Sequence, residues 1–109
     1  MDVPRFLLVN PWIHDFAAFN LWMRPLGFLY LGAFLREKGV RLEYVDALRL
    51  EESDARNWGL EMPERREDGT GKFYAERIPK PEAYAEVPRY YRRYGMPPEV
   101  FRANLRERD

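Results

Sequence analysis

The sequence of 109 residues contains no cysteine, and this absence removes several kinds of chemistry at once. Without thiols the chain forms no disulfide, offers no thiolate nucleophile, and cannot supply cysteine ligands to a zinc site or an iron–sulfur cluster. It also has a single histidine, His14, which cannot assemble a histidine-based metal site by itself. We therefore expect no metal centre built from the residues of this chain.

The chain also lacks net charge, because 18 basic and 18 acidic side chains balance. Binding of duplex nucleic acid usually requires a basic excess on one face, so nucleic acid is not an expected partner. No apolar run approaches the length of about 18 residues that suggests a membrane span, and the first residues do not have the pattern of a secretory signal. The composition is globular, with 46% hydrophobic residues, and predicts a cytoplasmic protein that does not bind membranes.

Residues 1–46 carry the clearest structural pattern. The apolar run at residues 6–9 predicts an interior strand of a parallel sheet with both faces covered. Helical periodicity over residues 25–38 begins at Pro25, which suits the first helical position, and ends at Gly39, a left-handed C-cap. The apolar stripe of this helix is wide, so we expect it to be largely buried. Residues 40–45 then predict a half-exposed or edge strand, which completes a parallel βαβ unit.

The rest of the chain supplies few regular elements. We expect residues 47–66 to be mostly loop, residues 68–71 to form a tight turn, and residues 73–78 to be extended. A last helix opens at Pro97-Pro98. The predicted fold class is therefore α/β: a partial parallel sheet with a Rossmann-like βαβ start over residues 1–50, followed by an irregular extension over residues 51–109 with mostly loops and short helices. A doubly wound domain normally needs about four to six strands, more than this chain shows.

Candidate ligand-binding residues lie near the carboxyl ends of the two strands. Asp46 ends the second strand, where dinucleotide-binding folds hold a ribose-binding carboxylate, but no Gly-x-Gly-x-x-Gly precedes the helix. The alternative is that Asp46 caps the following turn. The connection at residues 10–24 is rich in large side chains, so it packs down, lines a pocket or meets another surface. It contains His14 and Asp15, which are either functional or ordinary loop residues.

A second candidate is an interaction surface. The segment from Pro88 to Gly95 interleaves arginine with tyrosine, a mixture that can stack on bases but is also favoured at protein interfaces. We favour the protein interface, and its candidate residues are Tyr90, Tyr91, Arg92, Arg93 and Tyr94. The nearby Gly69-x-Gly71-Lys72 faintly suggests a phosphate loop, but the spacing of the glycines and Phe73 in place of Ser/Thr favour a plain turn.

These residues taken together resemble a known family. The amino-terminal part resembles radical SAM proteins that begin with a cobalamin-binding-like domain, in Leu7-Leu8-Val9-Asn10-Pro11, Asp15-Phe16-Ala17, Leu21-Trp22, Pro25-Leu26-Gly27-Phe28-Leu29-Tyr30-Leu31, Leu35-Arg36 with Gly39, and Val45-Asp46. The later part is similar to that family's insertion after the second strand, in Gly71-Lys72-Phe73, Lys80-Pro81 and Val87-Pro88-Arg89-Tyr90-Tyr91-Arg92-Arg93-Tyr94-Gly95-Met96. The order and spacing of these pieces, over nearly all the chain, carry the resemblance.

The resemblance implies a non-catalytic amino-terminal fragment or subunit that covers or completes a partner's cofactor site. Its cofactor-contacting candidates are Asn10, Pro11, His14, Asp15 and Asp46. The family's iron–sulfur cluster and S-adenosylmethionine belong to a barrel with a Cys-x-x-x-Cys-x-x-Cys motif that this chain lacks, and the Asp-x-His-x-x-Gly that holds cobalt is also absent. We expect no cofactor on this chain alone, and cobalamin only with the missing remainder. The expected partner is the remainder of a radical SAM protein or a separate subunit, and this chain is then a truncated product or a split-gene subunit.

Two alternative hypotheses stay open. In the first, the chain is a standalone small α/β module that uses residues 10–24 with Asp46 to bind a ligand or to catalyse. In the second, it is an interaction module that self-associates through its strand edge and tyrosine patch.

Overall fold

The computed structural model describes residues 5–20 and 25–108, which form two small sheets and three α-helices. The elements in chain order are β1 (Arg5–Asn10), β2 (Ile13–Asp15), α1 (Leu26–Glu37), β3 (Arg41–Asp46), α2 (Glu52–Trp58), β4 (Ala75–Arg77), a 3₁₀ turn (Glu82–Tyr84), β5 (Arg92–Tyr94) and α3 (Pro98–Arg106). The predicted α/β class is confirmed as a small α/β fold with one parallel pair and one antiparallel sheet.

The parallel sheet consists of β1 and β3. Their register places Arg5 opposite Arg41 and Asn10 opposite Asp46, so both strands end at the same edge. Helix α1 lies against one face of this pair: a Cβ added to Gly32 would come within 3.2 Å of the Leu8 side chain. The predicted parallel strands, with a helix between them in the sequence, are confirmed.

Helix α1 ends as its sequence predicts. Gly39 has a φ of +84°, the Gly39 N–H donates to the Arg36 carbonyl at 3.0 Å, and the Val40 N–H donates to the Leu35 carbonyl at 3.1 Å. This is a Schellman-type end, and glycine is favoured there because it has no Cβ. At the other end Pro25 precedes the first helical residue as the N-cap instead of starting the helix, a difference of one residue.

The predicted burial of β1 and α1 is wrong. No residue of α1 is buried, and large apolar side chains of both elements are exposed: Phe6 by 49%, Leu26 by 57%, Tyr30 by 75%, Leu31 by 49% and Phe34 by 55%. The physical reason is the width of the sheet. Two strands cover only a narrow stripe of a helix, and β1 has a neighbouring strand on one side alone within the described residues.

The second sheet has the strand order β2-β5-β4 and is antiparallel throughout. Ile13 lies opposite Tyr94, which in turn lies opposite Ala75. Strand β2 corrects the prediction that residues 10–24 form a connection without regular structure; residues 21–24 of that segment lie outside the described residues. Such three-residue strands are defined by pairing with distant residues and leave no local period to read.

Residues 47–66 are mostly loop, as predicted, but the prediction missed helix α2. It has acidic Glu52 and Asp54 in its first turn and is followed by Gly59 in the left-handed conformation. Both are ordinary helix-end signals, but the helix has only seven residues, which is too short for a clear helical period in the sequence. The turn at residues 68–71, the extended segment that contains β4, and the last helix, with Pro98 at its start, are confirmed.

One small hydrophobic core connects both halves of the sequence. It consists of Val45, Leu50, Ala55, Met96 and Val100. The molecule around it is elongated, with a radius of gyration of 16.4 Å, whereas a compact domain of this length has about 13 Å. The chain exposes 8463 Å², against about 6,400 Å² for a compact monomer of its mass. The chain therefore leaves unusually large surfaces uncovered.

Gly95 lies where the antiparallel sheet meets the carboxyl edge of the parallel pair. The Met96 N–H donates to the Ala47 carbonyl at 2.7 Å, and the Trp12 indole N–H donates to the Met96 carbonyl at 2.7 Å. Gly95 itself has a φ of +129°, and a Cβ there would lie 2.5 Å from the Ala47 carbonyl oxygen and 2.7 Å from the Trp12 ring. Only glycine fits between these groups.

We predict that Gly95→Ala lowers the free energy of unfolding by more than about 2 kcal/mol, because the backbone strain and the overlap with Ala47 add. The matched control is Gly27→Ala in the first turn of α1, where an added Cβ meets nothing within 4 Å. This control is expected to be neutral or stabilising by up to about 1 kcal/mol. Urea unfolding followed by circular dichroism measures both, and equal midpoints for the two variants would contradict the placement of Gly95.

Candidate functional site

The carboxyl ends of β1 and β3 form the floor of a cleft of about 420 Å³, which we call the edge cleft. It is lined by Asn10, Asp46, Leu48, Arg49, Leu50, Met62, Pro63, Arg65, Lys72 and Phe73. Ligands of open parallel sheets bind at this edge because the loops diverge there and leave a crevice. The structure therefore places two of the predicted residues, Asn10 and Asp46, in the expected position.

Asp46 is held by two hydrogen bonds to one carboxylate oxygen. The Asn10 side-chain amide donates to Asp46 Oδ1 at 2.9 Å, and the Leu48 N–H donates to the same oxygen at 3.0 Å. The second bond is an Asx-type cap of the turn that follows β3. Asp46 thus fulfils the capping role expected as the alternative to ligand binding, while its other oxygen, Oδ2, accepts no hydrogen bond from the described residues.

Basic side chains line the same cleft as this carboxylate. Arg49, Arg65 and Lys72 line the edge cleft together with the apolar Met62 and Phe73. Arg49 also forms an exposed ion pair with Glu51 at 3.2 Å, which contributes little to stability. The arrangement suits a polar ligand that both donates to Asp46 and accepts from a basic group. It contains no histidine, serine or cysteine that could act as a catalytic base or nucleophile.

His14 and Asp15 do not join the edge cleft. Both lie in β2, where His14 faces Arg93 and Asp15 faces Arg92 across the strand pair. The Tyr91 hydroxyl donates to the His14 carbonyl at 3.1 Å, and Asp15 Oδ1 accepts the Phe16 N–H at 2.6 Å. Pro11, the fifth predicted residue, is exposed between β1 and β2 and does not line the cleft.

The candidate interface residues divide between the two sides of β5. Arg93 binds Glu76 of β4 at 2.7 Å. Tyr94 is only 8% exposed, and its hydroxyl donates to the Phe16 carbonyl at 3.3 Å. Tyr91 packs edge-on against Phe16 with ring centres 5.3 Å apart.

The other two members of this segment face outward to different degrees. Tyr90 is 58% exposed and lies under the guanidinium of Arg77 at 3.4 Å, while Arg92 is half-buried. The segment is therefore the framework of the second sheet as well as a surface.

Lys72 and Phe73 also line the edge cleft, and they were not among the residues predicted from the sequence. Lys72 and Phe73 reach it because Asn20 anchors their segment: the Asn20 N–H donates to the Gly69 carbonyl at 2.7 Å, and Asn20 Oδ1 accepts the Lys72 N–H at 2.8 Å. Gly69 and Gly71 form the tight turn that was predicted. An asparagine between the apolar residues 16–19 and 21–23 was the available signal, but its partner lies some fifty residues away.

Comparison of the chain with protein-family models, with curated proteins and with solved structures finds no match. In the described parts of the chain, no helix is both long and apolar enough to cross a bilayer. Over the same residues, no three or more His, Asp or Glu side chains converge in a way that could hold a metal ion.

We predict that Asp46→Ala lowers the free energy of unfolding by about 1–3 kcal/mol, because it removes two hydrogen bonds and leaves the half-buried Asn10 amide without its acceptor. Asp15→Ala is the matched control, since its exposed carboxylate holds only a neighbouring N–H. It is expected to cost less than about 1 kcal/mol. Chemical denaturation compares them, and an Asp46 variant as stable as the parent chain would show that this carboxylate does not hold the edge.

Proposed function

We propose that this chain is the leading part of a larger α/β cofactor-binding domain, and that it becomes functional when further strands complete its parallel sheet. The observation that carries the proposal is the outer edge of β1, which no strand of the described residues pairs with, next to the exposed apolar face of α1. The chain supplies a surface for the cofactor site and no catalytic group. The proposed full domain resembles the cobalamin-binding-like domain of radical SAM proteins.

The free edge of β1 follows from its hydrogen bonds. Hydrogen-bonding groups of alternate residues in a parallel strand point to opposite sides. The Asn10 carbonyl accepts the Ala47 N–H at 2.9 Å, so Asn10 and Leu8 point toward β3. Leu7 and Val9 then point the other way, where the described residues include no strand. Beyond Arg5 this outer edge is apolar, and an apolar edge of this kind invites another strand.

The uncovered face of α1 supports the same conclusion. Tyr30 and Phe34 lie one helical turn apart and are 75% and 55% exposed. A helix that crosses between parallel strands normally packs on a sheet several strands wide, which here would extend from the β1 side. Each fully buried large side chain contributes about 1.5–3 kcal/mol, so covering this face would stabilise the domain substantially.

The edge cleft supports a role in ligand binding once the sheet is complete. Binding sites of open α/β sheets lie where strand order reverses, and this needs a strand on each side of the central one. Asn10 and Asp46 lie at the ends of adjacent strands, so they would form one wall of such a crevice. Cobalamin, in this proposal, binds only when the completing strands supply the other wall.

The second candidate function is self-association through the same β1 edge. The observation in its favour is the excess of exposed area, about 2,000 Å² above that of a compact monomer. This exceeds the roughly 800 Å² that each partner contributes to a standard interface. A second copy would then cover β1 in place of additional strands.

We predict that completion of the sheet protects particular amide protons. In the chain alone, the Leu7 and Val9 amides should exchange quickly with solvent, because they lie on the free edge. When the chain is joined to the polypeptide encoded directly downstream, in the same gene or in the next one, hydrogen exchange at the same two amides should slow by at least about tenfold. Residue-resolved hydrogen exchange by NMR measures this, and the Leu8 amide, which already points toward β3, is the internal control.

The outcomes separate the two candidate functions. Protection of Leu7 and Val9 that rises with the concentration of the chain alone favours self-association. Protection in the dilute monomer would contradict both, because the edge would then be covered within this chain. Completion that leaves the two amides fast-exchanging would contradict the proposed sheet extension.

A further inference from the structure

A cleft of about 300 Å³ on one face of the antiparallel sheet is lined by three arginines, and we call it the arginine cleft. The residues that matter for the argument are Phe16, Arg66, Asp68, Arg89, Arg92 and Tyr94. Neither the free edge of β1 nor the edge cleft shares a wall with it, apart from Phe73. The arginine cleft is therefore a separate candidate binding site.

The three arginines come from separate and well-fixed parts of the chain. Arg92 lies in β5, the central strand of the sheet. Arg66 begins the tight turn, and its N–H donates to the Thr70 carbonyl at 2.7 Å. Arg89 precedes β5 and places its guanidinium 5.9 Å from the centre of the Phe16 ring. Side chains that converge from three segments on a hydrogen-bonded framework can be pre-organised for a ligand.

None of these guanidinium groups forms an ion pair within 4 Å among the described residues. Arg89 lies near the Phe16 ring, and the Arg92 guanidinium lies 5.9 Å from the Tyr90 ring centre. The next residue, Arg93, points to the opposite side of the sheet and binds Glu76 at 2.7 Å. One strand thus carries a neutralised arginine on one face and an unneutralised arginine on the other.

The carboxylates near the cleft accept hydrogen bonds from their own neighbours in the sequence. Asp68 Oδ1 accepts the Thr70 N–H at 3.0 Å and the Thr70 hydroxyl at 2.6 Å, and these bonds, with a smaller effect of the Arg66 charge, lower the pKa of Asp68. Asp15, the cross-strand neighbour of Arg92, accepts the Phe16 N–H. Three arginines against Asp68 leave the cleft positive, although the chain as a whole has no net charge. The excess is local and not a consequence of basic composition.

We propose that the arginine cleft binds the phosphate group of a small organic molecule, with the organic part against Phe16 and Tyr94. The planar fork of arginine matches two phosphate oxygens at once, which is the strongest way for a side chain to hold this group. The volume lies at the lower end of ligand-sized pockets, which suits a small phosphate ester. A nucleic-acid strand is disfavoured because it needs a positive groove several nucleotides long.

The test is calorimetric titration of the chain with phenyl phosphate and, separately, with pyrophosphate. We expect saturable binding of both that weakens with added salt, and at least tenfold weaker binding by Arg92→Gln because one charged hydrogen-bonding group is lost. Arg92→Lys keeps the charge without the fork and should give an intermediate loss. Arg41→Gln is the matched control: Arg41 is exposed on β3, outside the cleft, and its loss should leave affinity unchanged.

Arg89→Gln provides a second test if Arg92→Gln fails to fold, because Arg89 is exposed and lies outside every strand and helix. It should also weaken binding at least tenfold. The proposal is overturned if neither probe binds up to about 10 mM, or if Arg41→Gln weakens binding as much as Arg92→Gln. It is also overturned if an RNA oligonucleotide or a phosphopeptide binds and phenyl phosphate does not compete. None of these outcomes depends on whether the parallel sheet is later completed.

Discussion

The backbone hydrogen bond from the Met96 N–H to the Ala47 carbonyl joins the two halves of this protein. It fixes the antiparallel sheet and α3 against the carboxyl edge of the parallel pair, with Gly95 filling the narrow space between them. The Trp12 indole ties the same point to the connection after β1. Because Val45 and Val100 become neighbours in the core through this junction, the small buried cluster depends on it.

This junction adds no strand to the parallel sheet. Helix α3 covers the side of the pair that carries Val45, while α1 covers only part of the other side. A strand pair has two outer edges, and a polar backbone that faces water at an apolar edge is a site for further pairing. The exposed Phe6, Tyr30 and Phe34 lie on the elements that further strands would cover. In our proposal, incompleteness of the parallel sheet accounts for both the elongated shape and the excess surface.

The sequence predicted those parts of the fold that local patterns determine. The apolar run before Asn10, the periodic helix that ends at Gly39 and the strand that ends at Asp46 are local signals, and their parallel pairing follows from the helical crossover. Strands β2 and β5 could not be read, since three residues show no period until a distant partner is known. The burial of α1 was predicted wrongly because a wide apolar stripe does not tell how many strands the sheet beside the helix has, and two strands cover only part of the stripe.

The same distinction applies to the sites. Asn10 and Asp46 could be placed together because parallel strands end at one edge. The positions of His14 and Asp15 could not be predicted, because they depend on the pairing of β2 with β5 in the second sheet. The convergence of Arg66, Arg89 and Arg92 depends on a turn, a short strand and a loop that only tertiary structure brings together.

The central claim, that the parallel sheet is incomplete in this chain, is tested most directly by scanning calorimetry of the chain alone at low concentration. A small core and an uncovered helix predict a broad transition with a specific unfolding enthalpy well below the roughly 0.7 kcal/mol per residue of globular domains near 60 °C. A sharp transition of a monomer above about 65 °C, with a normal enthalpy per residue, would contradict the account.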